Sequence, residues 1–288
     1  MVKRKIISAL LLVVMVVSMV PFTAMADPFY NLWQRVDDGW VYWDANGHKA
    51  SGWNKIGKTW YYFDPEDNLM LADQWLWEDN SKGQRVGYHF NSDGAMEKNK
   101  WIVWSETDSK NWMYLGADGA TVIGWKRISK DWYWFDNELP EENLYYGVMA
   151  RDRQVDNLYY VGSDGKMVTN KWVKVEDAPG YYTFWSYYDA NGVMANKGWK
   201  KINKKWYWFA SDGIAAIGTC KIMYSGTMKP FYFDEFNADL RTGWFHKTHN
   251  SETWYYAYPD TGVIACDTSV TYKGKVYKFD ETGRCLNP

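Results

Sequence analysis

Beyond residue 26 no stretch of the chain repeats its apolar residues with a 3.6-residue period, so helix is expected to be nearly absent there. The apolar positions come instead in short bursts separated by Gly, Lys, Asn and Asp. Three segments display the unit: Gly52-Trp53, then NKIGKT, then Trp60-Tyr61-Tyr62-Phe63-Asp64; Gly124-Trp125, then KRISKD, then Trp132-Tyr133-Trp134-Phe135-Asp136; Gly198-Trp199, then KKINKK, then Trp206-Tyr207-Trp208-Phe209. The two tryptophans stand seven positions apart in all three. The first burst reads as a short strand and the polar middle as a loop. W-Y-x-F reads as a second strand, built from strong strand formers. A turn follows with glycine where a positive φ is wanted, as in Ser92-Asp93-Gly94, Ala117-Asp118-Gly119, Ser163-Asp164-Gly165 and Ala190-Asn191-Gly192. Each unit therefore predicts one β-hairpin.

The leading slot recurs at Trp33, Trp53, Trp75, Trp101, Trp125, near Arg153, Trp172, Trp199, Thr219, Trp244 and Thr268, about every 23.5 residues. A lone hairpin buries too little to be stable, whereas stacked hairpins cover one another. The expectation is an all-β fold: an elongated β-solenoid of about eleven stacked hairpins, one domain over 27–288. Aromatic side chains, each burying about 150–250 Å², offset the shortness of the strands. Some units are imperfect. Gly87 stands where the unit of Trp75 should carry its second tryptophan. The unit near Arg153 lacks its leading tryptophan. The unit of Thr219 lacks both and has Phe231-Tyr232-Phe233, and the last has Val276-Tyr277-Lys278-Phe279. Insertions run from Glu78 to Gly87, from Asn137 to Tyr146 and from Glu176 to Phe184; the second is acidic, with Glu138, Glu141 and Glu142.

The first 26 residues read differently. Lys3, Arg4 and Lys5 precede an apolar run from Ile6 to Val20, and Ala24-Met25-Ala26 is a small-residue cleavage site. This is the pattern of a secretory signal peptide; the run is short for a membrane span. Removing it lowers the formal charge from −2 to about −5, which argues against non-specific nucleic-acid binding. Aromatics make up 19% of the chain, with 20 tryptophans. That excludes a disordered tail, a collagen-like chain or a Leu/Ala-rich bundle. Three cysteines are too few for a disulfide scaffold. Cys266 and Cys285 lie near one repeat period apart, so a bridge across stacked hairpins is possible, leaving Cys220 free.

The combination G-W-x(6)-W-Y-[YW]-F with a G-x-M-A tail resembles the choline-binding, or cell-wall-binding, repeat of Gram-positive surface proteins and autolysins, over essentially the whole chain after residue 26. The resemblance implies a left-handed solenoid of hairpins with ligand sites between consecutive ones, and choline on teichoic or lipoteichoic acid as the ligand. Two tryptophans of one unit and an aromatic of the next would form each cage: Trp33, Trp40 and Tyr61; Trp53, Trp60 and Tyr88; Trp101, Trp112 and Tyr133; Trp125, Trp132 and Tyr159; Trp172, Trp185 and Tyr207; Trp244, Trp254 and Tyr277. Met70, Met96, Met149 and Met194 are the implied floors. Which strand-two tyrosine supplies the third wall stays open, because neighbours on a strand face opposite ways. The chemistry suits such a ligand. A quaternary ammonium has no N–H donor and is held by aromatic faces at about 0.5–2 kcal/mol each. The competing reading is that these rings are simply core.

Functionally, a secreted, non-catalytic protein attached non-covalently to choline-bearing wall polymers is expected, without cofactor, metal or membrane span in the mature chain. A glucan-binding repeat protein is the alternative, since aromatic faces also stack on sugars. A surface adhesin or regulator competing with autolysins, with the loop at Glu141 as partner surface, is another. His246 and His249 lack a third ligand at metal spacing. No serine elbow, phosphate loop or HExxH occurs, and no unrepeated segment is long enough to hold a hydrolase domain.

Overall fold

The computed structural model describes residues 29–104, 111–137, 146–176, 183–248 and 251–288. The expected signal peptide, the acidic residues Glu138, Glu141 and Glu142, and His249 lie outside the described residues. Within them there is no helix, and the strands form eleven two-stranded sheets, each pairing a strand with its successor. The hairpins are Leu32–Val36 with Gly39–Trp43 (hairpin 1), Gly52–Ile56 with Thr59–Phe63 (2), Gln74–Asp79 with Arg85–Phe90 (3), Lys100–Val103 with Trp112–Leu115 (4), Gly124–Ile128 with Asp131–Phe135 (5), and Arg153–Val155 with Tyr159–Val161 (6). Lys171–Glu176 with Thr183–Tyr188 (7), Gly198–Ile202 with Lys205–Phe209 (8), Gly218–Tyr224 with Thr227–Phe233 (9), Gly243–Phe245 with Tyr255–Ala257 (10), and Thr268–Tyr272 with Lys275–Phe279 (11) complete the set. The all-β, eleven-hairpin expectation is thus met.

Local chemistry explains the hairpins. In hairpin 8 the pair Ile202↔Lys205 closes on Asn203 and Lys204, both at positive φ (48° and 69°). That two-residue turn has the twist the strands need, and asparagine tolerates it. After most second strands an acid or amide folds the chain back. Asp189 Oδ1 accepts the backbone N–H of Asn191 (2.8 Å) and Val193 (2.9 Å), and Asn91 does the same for Asp93 and Ala95. The returning tail makes a single bridge to its own hairpin, as in Phe63↔Met70 and Tyr188↔Met194.

The hairpins group into two compact units, Met1–Trp77 with Gly87–Glu97 in one, and Glu78–Val86 with Lys98–Pro288 in the other. The first holds hairpins 1 and 2 and residues 74–77 and 87–90 of hairpin 3. Its tail residues Met70 and Met96 donate their N–H groups to the Trp40 and Trp60 carbonyls of the preceding hairpin (2.8 and 2.9 Å). In the second unit the same link joins Met149 to Trp112, Met167 to Trp132, Met194 to Leu158, Ala215 to Trp185, Leu240 to Trp206, Ile264 to Pro230 and Cys285 to Trp254. Each such bond is worth about 0.5–1.5 kcal/mol net. Side-chain packing adds to it. A Cβ on Gly94 would fall 2.2 Å from Met70 Sδ, and one on Gly213 2.3 Å from Met194 Sδ. The tail methionine therefore wedges under the next turn, which must be glycine both for space and for its positive φ (73° and 83°).

The core is carried by the last residue of the W-Y-x-F strands. Phe63, Phe90, Phe135, Phe209 and Phe233 are all 0% exposed. Cys266 and Cys285 are free thiols, Cys285 buried.

Candidate ligand cages between hairpins

Directly opposed residues of an antiparallel pair share a face, as do residues two apart. In hairpin 2, Trp53 pairs with Tyr62 and Lys55 with Trp60. Trp53, Lys55, Trp60 and Tyr62 therefore stand on one face, and Asn54, Tyr61 and Phe63 on the other. The first face of one hairpin meets the second face of the next. Trp33 packs on Tyr61 and Phe63 (ring centroids 4.9 and 5.8 Å), and Trp53 on Tyr88 and Phe90 (4.8 and 5.5 Å). In the second unit Trp101 meets Tyr133 (5.1 Å), Trp125 meets Tyr159 (5.1 Å), Trp172 meets Tyr207 (4.8 Å) and Trp244 meets Tyr277 (4.6 Å). The third-wall tyrosine is thus the residue directly after the strand-two tryptophan slot.

The paired tryptophans sit diagonally across their hairpin. Trp53–Trp60, Trp125–Trp132 and Trp244–Trp254 are edge-to-face pairs at 6.2, 6.5 and 6.2 Å. Trp33 and Trp40, Trp101 and Trp112, and Trp172 and Trp185 hold the same two register positions in hairpins 1, 4 and 7. Three of the expected sets are therefore in contact as triplets, and in the other three the register sets the second tryptophan at the same position. Burial separates these rings from the core: Trp60, Trp132, Trp206 and Trp254 are 37–44% exposed, on strands whose final phenylalanine or alanine is fully buried. The other tryptophans of these sets are half-buried, and Trp125, Trp172, Trp185 and Trp244 also pack against core residues.

A seventh set was not expected. Trp199 packs on Phe231 (5.0 Å) and Phe233 (5.7 Å), and with Trp206, Tyr224 and Leu240 it lines a cavity of about 340 Å³. Hairpin 9 carries no tryptophan, which obscured the site. Its contribution is only the third wall, and Phe231 is aromatic. The comparable cavity of about 330 Å³ at Trp244 and Trp254 gains Tyr272 as a further wall beside Tyr277.

Hairpins 3, 6 and 9 lack the paired tryptophans. In hairpin 6 the register equates Gln154, not Arg153, with the leading tryptophan and Leu158 with the second, and hairpin 7 offers Ser186 as third wall. A polar cleft of about 700 Å³ results. In hairpin 9 the two positions are Thr219 and Pro230. In hairpin 3 Trp77 stacks on Trp75 (5.7 Å), and its ring fills the space over Gly87. Among the implied floors, Met70, Met96 and Met149 lie beside the strand-two tryptophans whose carbonyls they bond, as does Met167. Met194 lies instead at the Gln154/Leu158 junction, away from any tryptophan pair. His246 Nδ1 donates to the Thr253 carbonyl (3.0 Å) and its ring lies on Trp254. Among the described residues no group of three His, Cys, Asp or Glu is placed to hold a metal, and no helix is long and apolar enough to cross a membrane.

Three family models match the chain: two described as choline-binding repeats, at residues 32–75 and 148–183, and one described as a putative cell wall binding repeat, at 123–138 and 197–215. Among solved structures, CbpJ of Streptococcus pneumoniae is 25% identical with a TM-score of 0.55, covering 88% of this chain and 92% of its own. Choline binding protein F of the same organism is 27% identical with a TM-score of 0.52 and the same coverage. Among curated relatives, glucosyltransferase-S of Streptococcus mutans is 26% identical and glucosyltransferase-I of Streptococcus downei 31% identical, over 87% and 85% of this chain. The chain spans only 14% and 16% of those two proteins. Repeat models at four places along the chain, two structural likenesses covering nearly all of it, and aromatic triplets recurring at hairpin junctions agree: the chain carries matches to choline-binding and cell-wall-binding repeats and is similar to the proteins built from them.

Proposed function

We propose that the protein is a secreted, non-catalytic cell-wall-binding protein that holds choline groups of teichoic or lipoteichoic acid in the cages between its hairpins. Within each compact unit, consecutive hairpins are then turns of a β-solenoid. The observation that carries the proposal is the division of labour among aromatics. Phenylalanines fill the core, while the seven pairs of tryptophans are half-buried or, at Trp60, Trp132, Trp206 and Trp254, exposed, each pair closed by an aromatic of the next hairpin. A trimethylammonium group fits such a box because it needs no acceptor and gains from each ring face. Three walls give on the order of 4 kcal/mol, a millimolar dissociation constant per site. Several sites on one polymer raise retention by orders of magnitude.

Titration of the purified protein with choline, read by tryptophan fluorescence, tests this. Saturation in the millimolar range supports it, as does release from choline-bearing walls by free choline but far less by salt. No change up to about 100 mM, well above the millimolar estimate, overturns it. The likeness to glucosyltransferases favours a second reading, in which the same ring faces stack on glucan. A fluorescence response to dextran with none to choline selects that reading. Turnover of peptidoglycan by the purified protein, lost on one acidic substitution, would refute the non-catalytic assignment.

A further inference from the structure

The joint between hairpins 6 and 7 has lost its tryptophans and kept a space. Gln154, Leu158 and Ser186 hold the three cage positions there. The cleft beside them measures about 700 Å³, against about 340 and 330 Å³ at the Trp199/Trp206 and Trp244/Trp254 sites. It lies wholly inside the second compact unit. Small-molecule sites occupy about 300–1,000 Å³ and combine ring faces with a few placed polar groups.

The polar groups of this cleft are not all spent within the protein. Ser186 is 5% exposed and lines the cleft, and its hydroxyl has no hydrogen-bond partner among the described residues. A buried hydroxyl left unpaired is costly and calls for an explanation. Two acceptors stand in the same lining. Asp212 uses Oδ1 for the Ile214 N–H (3.0 Å), and its Oδ2 accepts nothing among the described residues. Gln154 donates Nε2 to the Asn157 carbonyl (2.8 Å), and its Oε1 accepts nothing among them either. Charge does not select an ion here. Arg153 and Lys174 balance Asp152 and Asp212 in the lining, Arg153 is paired with Asp136, and Asp152 accepts the Tyr160 hydroxyl (2.9 Å). Tyr160 and Phe184 add ring faces. A quaternary ammonium has no donor for these acceptors. A molecule with hydroxyls around its rim and C–H groups on its faces answers both the acceptors and the rings.

We propose that the cleft at Gln154, Ser186 and Asp212 is a saccharide subsite, separate from the tryptophan cages. Sugar hydroxyls donate to Gln154 Oε1 and Asp212 Oδ2 and pair with the Ser186 hydroxyl, while the pyranose face lies on the aromatic lining. The subsite does not rest on the choline reading: the cages can fail and the cleft still hold sugar. Wall glycan and external glucan both present such rings, and the chemistry of the cleft is the same for either. Loss of one of these hydrogen bonds weakens binding about twofold to tenfold.

The test titrates the full chain by calorimetry with two probes, the N-acetylglucosamine dimer for wall glycan and isomaltotriose for glucan, each with and without excess choline. The variants are Ser186→Ala, which removes the hydroxyl and keeps the packing, and Asp212→Asn, which keeps an acceptor for the turn and replaces Oδ2 by a donor. Wild type is expected to bind one probe or both at a single site, and the probe that binds names the source. Choline should not displace it. Each variant should weaken binding twofold to tenfold at an unchanged melting temperature. If Ser186→Ala lowers the melting temperature, the exposed Asp212→Asn decides alone. Silence to both probes overturns the proposal, as does binding that neither variant weakens. Displacement by choline also overturns it, because the sugar would then sit on the cage rings. A missing fluorescence response to choline refutes the cages and leaves this subsite to be judged by its own variants.

Discussion

Trp206 and Phe209 lie three residues apart on one strand of hairpin 8, and replacing each by alanine separates wall from core. Phe209 is 0% exposed and packs with Tyr207, Ile202, Ala215 and Ala238. Its removal leaves a cavity that the tightly stacked neighbours cannot close, at a cost of about 3–5 kcal/mol. Trp206 is 44% exposed. Roughly half of its 150–250 Å² is buried, which at about 25 cal/mol/Å² bounds the loss near 3 kcal/mol. Its backbone carbonyl, which accepts the Leu240 N–H, survives the substitution. Binding should reverse the order of severity. Trp206→Ala removes one wall worth about 0.5–2 kcal/mol, so that site weakens about twofold to thirtyfold, while the other six are untouched. Denaturant unfolding gives the stabilities, and choline calorimetry gives the number and strength of sites. The reasoning fails if Trp206→Ala destabilises as much as Phe209→Ala. It also fails if neither the number nor the strength of the choline sites changes with Trp206→Ala, because that ring would then be scaffold or bystander rather than wall.

Gly94→Ala should cost about 2–4 kcal/mol, combining a left-handed φ with a clash on Met70; Gly57→Ala, at φ +65° in open space, should cost about 1–2 kcal/mol, and equal melting temperatures would refute the wedge. Acid should weaken the turns. A backbone bond from His48 holds Asp44, and the Thr282 hydroxyl and Arg284 N–H hold Asp280, below the ordinary carboxylate value of 3.8. Their contribution is present above that value and disappears as pH falls through the lower folded values, so the melting temperature should drop below about pH 4. Asp280→Asn should blunt part of that drop, as asparagine already serves in the turn at Asn91. Alkali acts through the phenols. Burial pushes Tyr160, Tyr188 and Tyr232 up to about 12, helped at Tyr160 by its bond to Asp152. Their stabilisation is whole below the unfolded value of 10 and is lost between 10 and 12. Phenolate absorbance should therefore rise together with loss of β signal in that window, and ionisation of these tyrosines without unfolding would contradict it.

The hairpins were legible because their signals are local. A tryptophan, a polar loop and W-Y-x-F specify strand, turn and strand without long-range information, and Asp/Asn-Gly turns announce themselves. The six triplets were legible for the same reason, since the wall residues keep fixed places in the repeat. What was not legible depends on register between neighbours. The Trp199/Trp206 site went unseen because hairpin 9 lacks tryptophan, although the wall it lends is Phe231. The slot near Arg153 resolves to Gln154 only once the strands are paired. In hairpin 3, Trp77 and Gly87 exchange places across the pair, a swap of large and small that a one-dimensional pattern reads as a defect. The roles of the rings needed burial: W-Y-x-F shows four apolar residues, and only the fold tells which of them faces water.

The backbone link from a tail to the preceding hairpin, where it forms within a unit, is indifferent to side chains. It forms on Trp60 and on Trp254, and equally on Leu158 and Pro230, where no cage exists. On the proposed reading, assembly and recognition are thus written in separate parts of the same residues, one in the carbonyl, the other in the ring. A unit can lose its tryptophans by mutation and still seat its neighbour. It can regain them without any new fold being needed. On the proposed reading the binding unit is the joint rather than the hairpin, so the valence of such a protein can drift one joint at a time while its length and its backbone links stay fixed, leaving grip on a polymer open to graded adjustment.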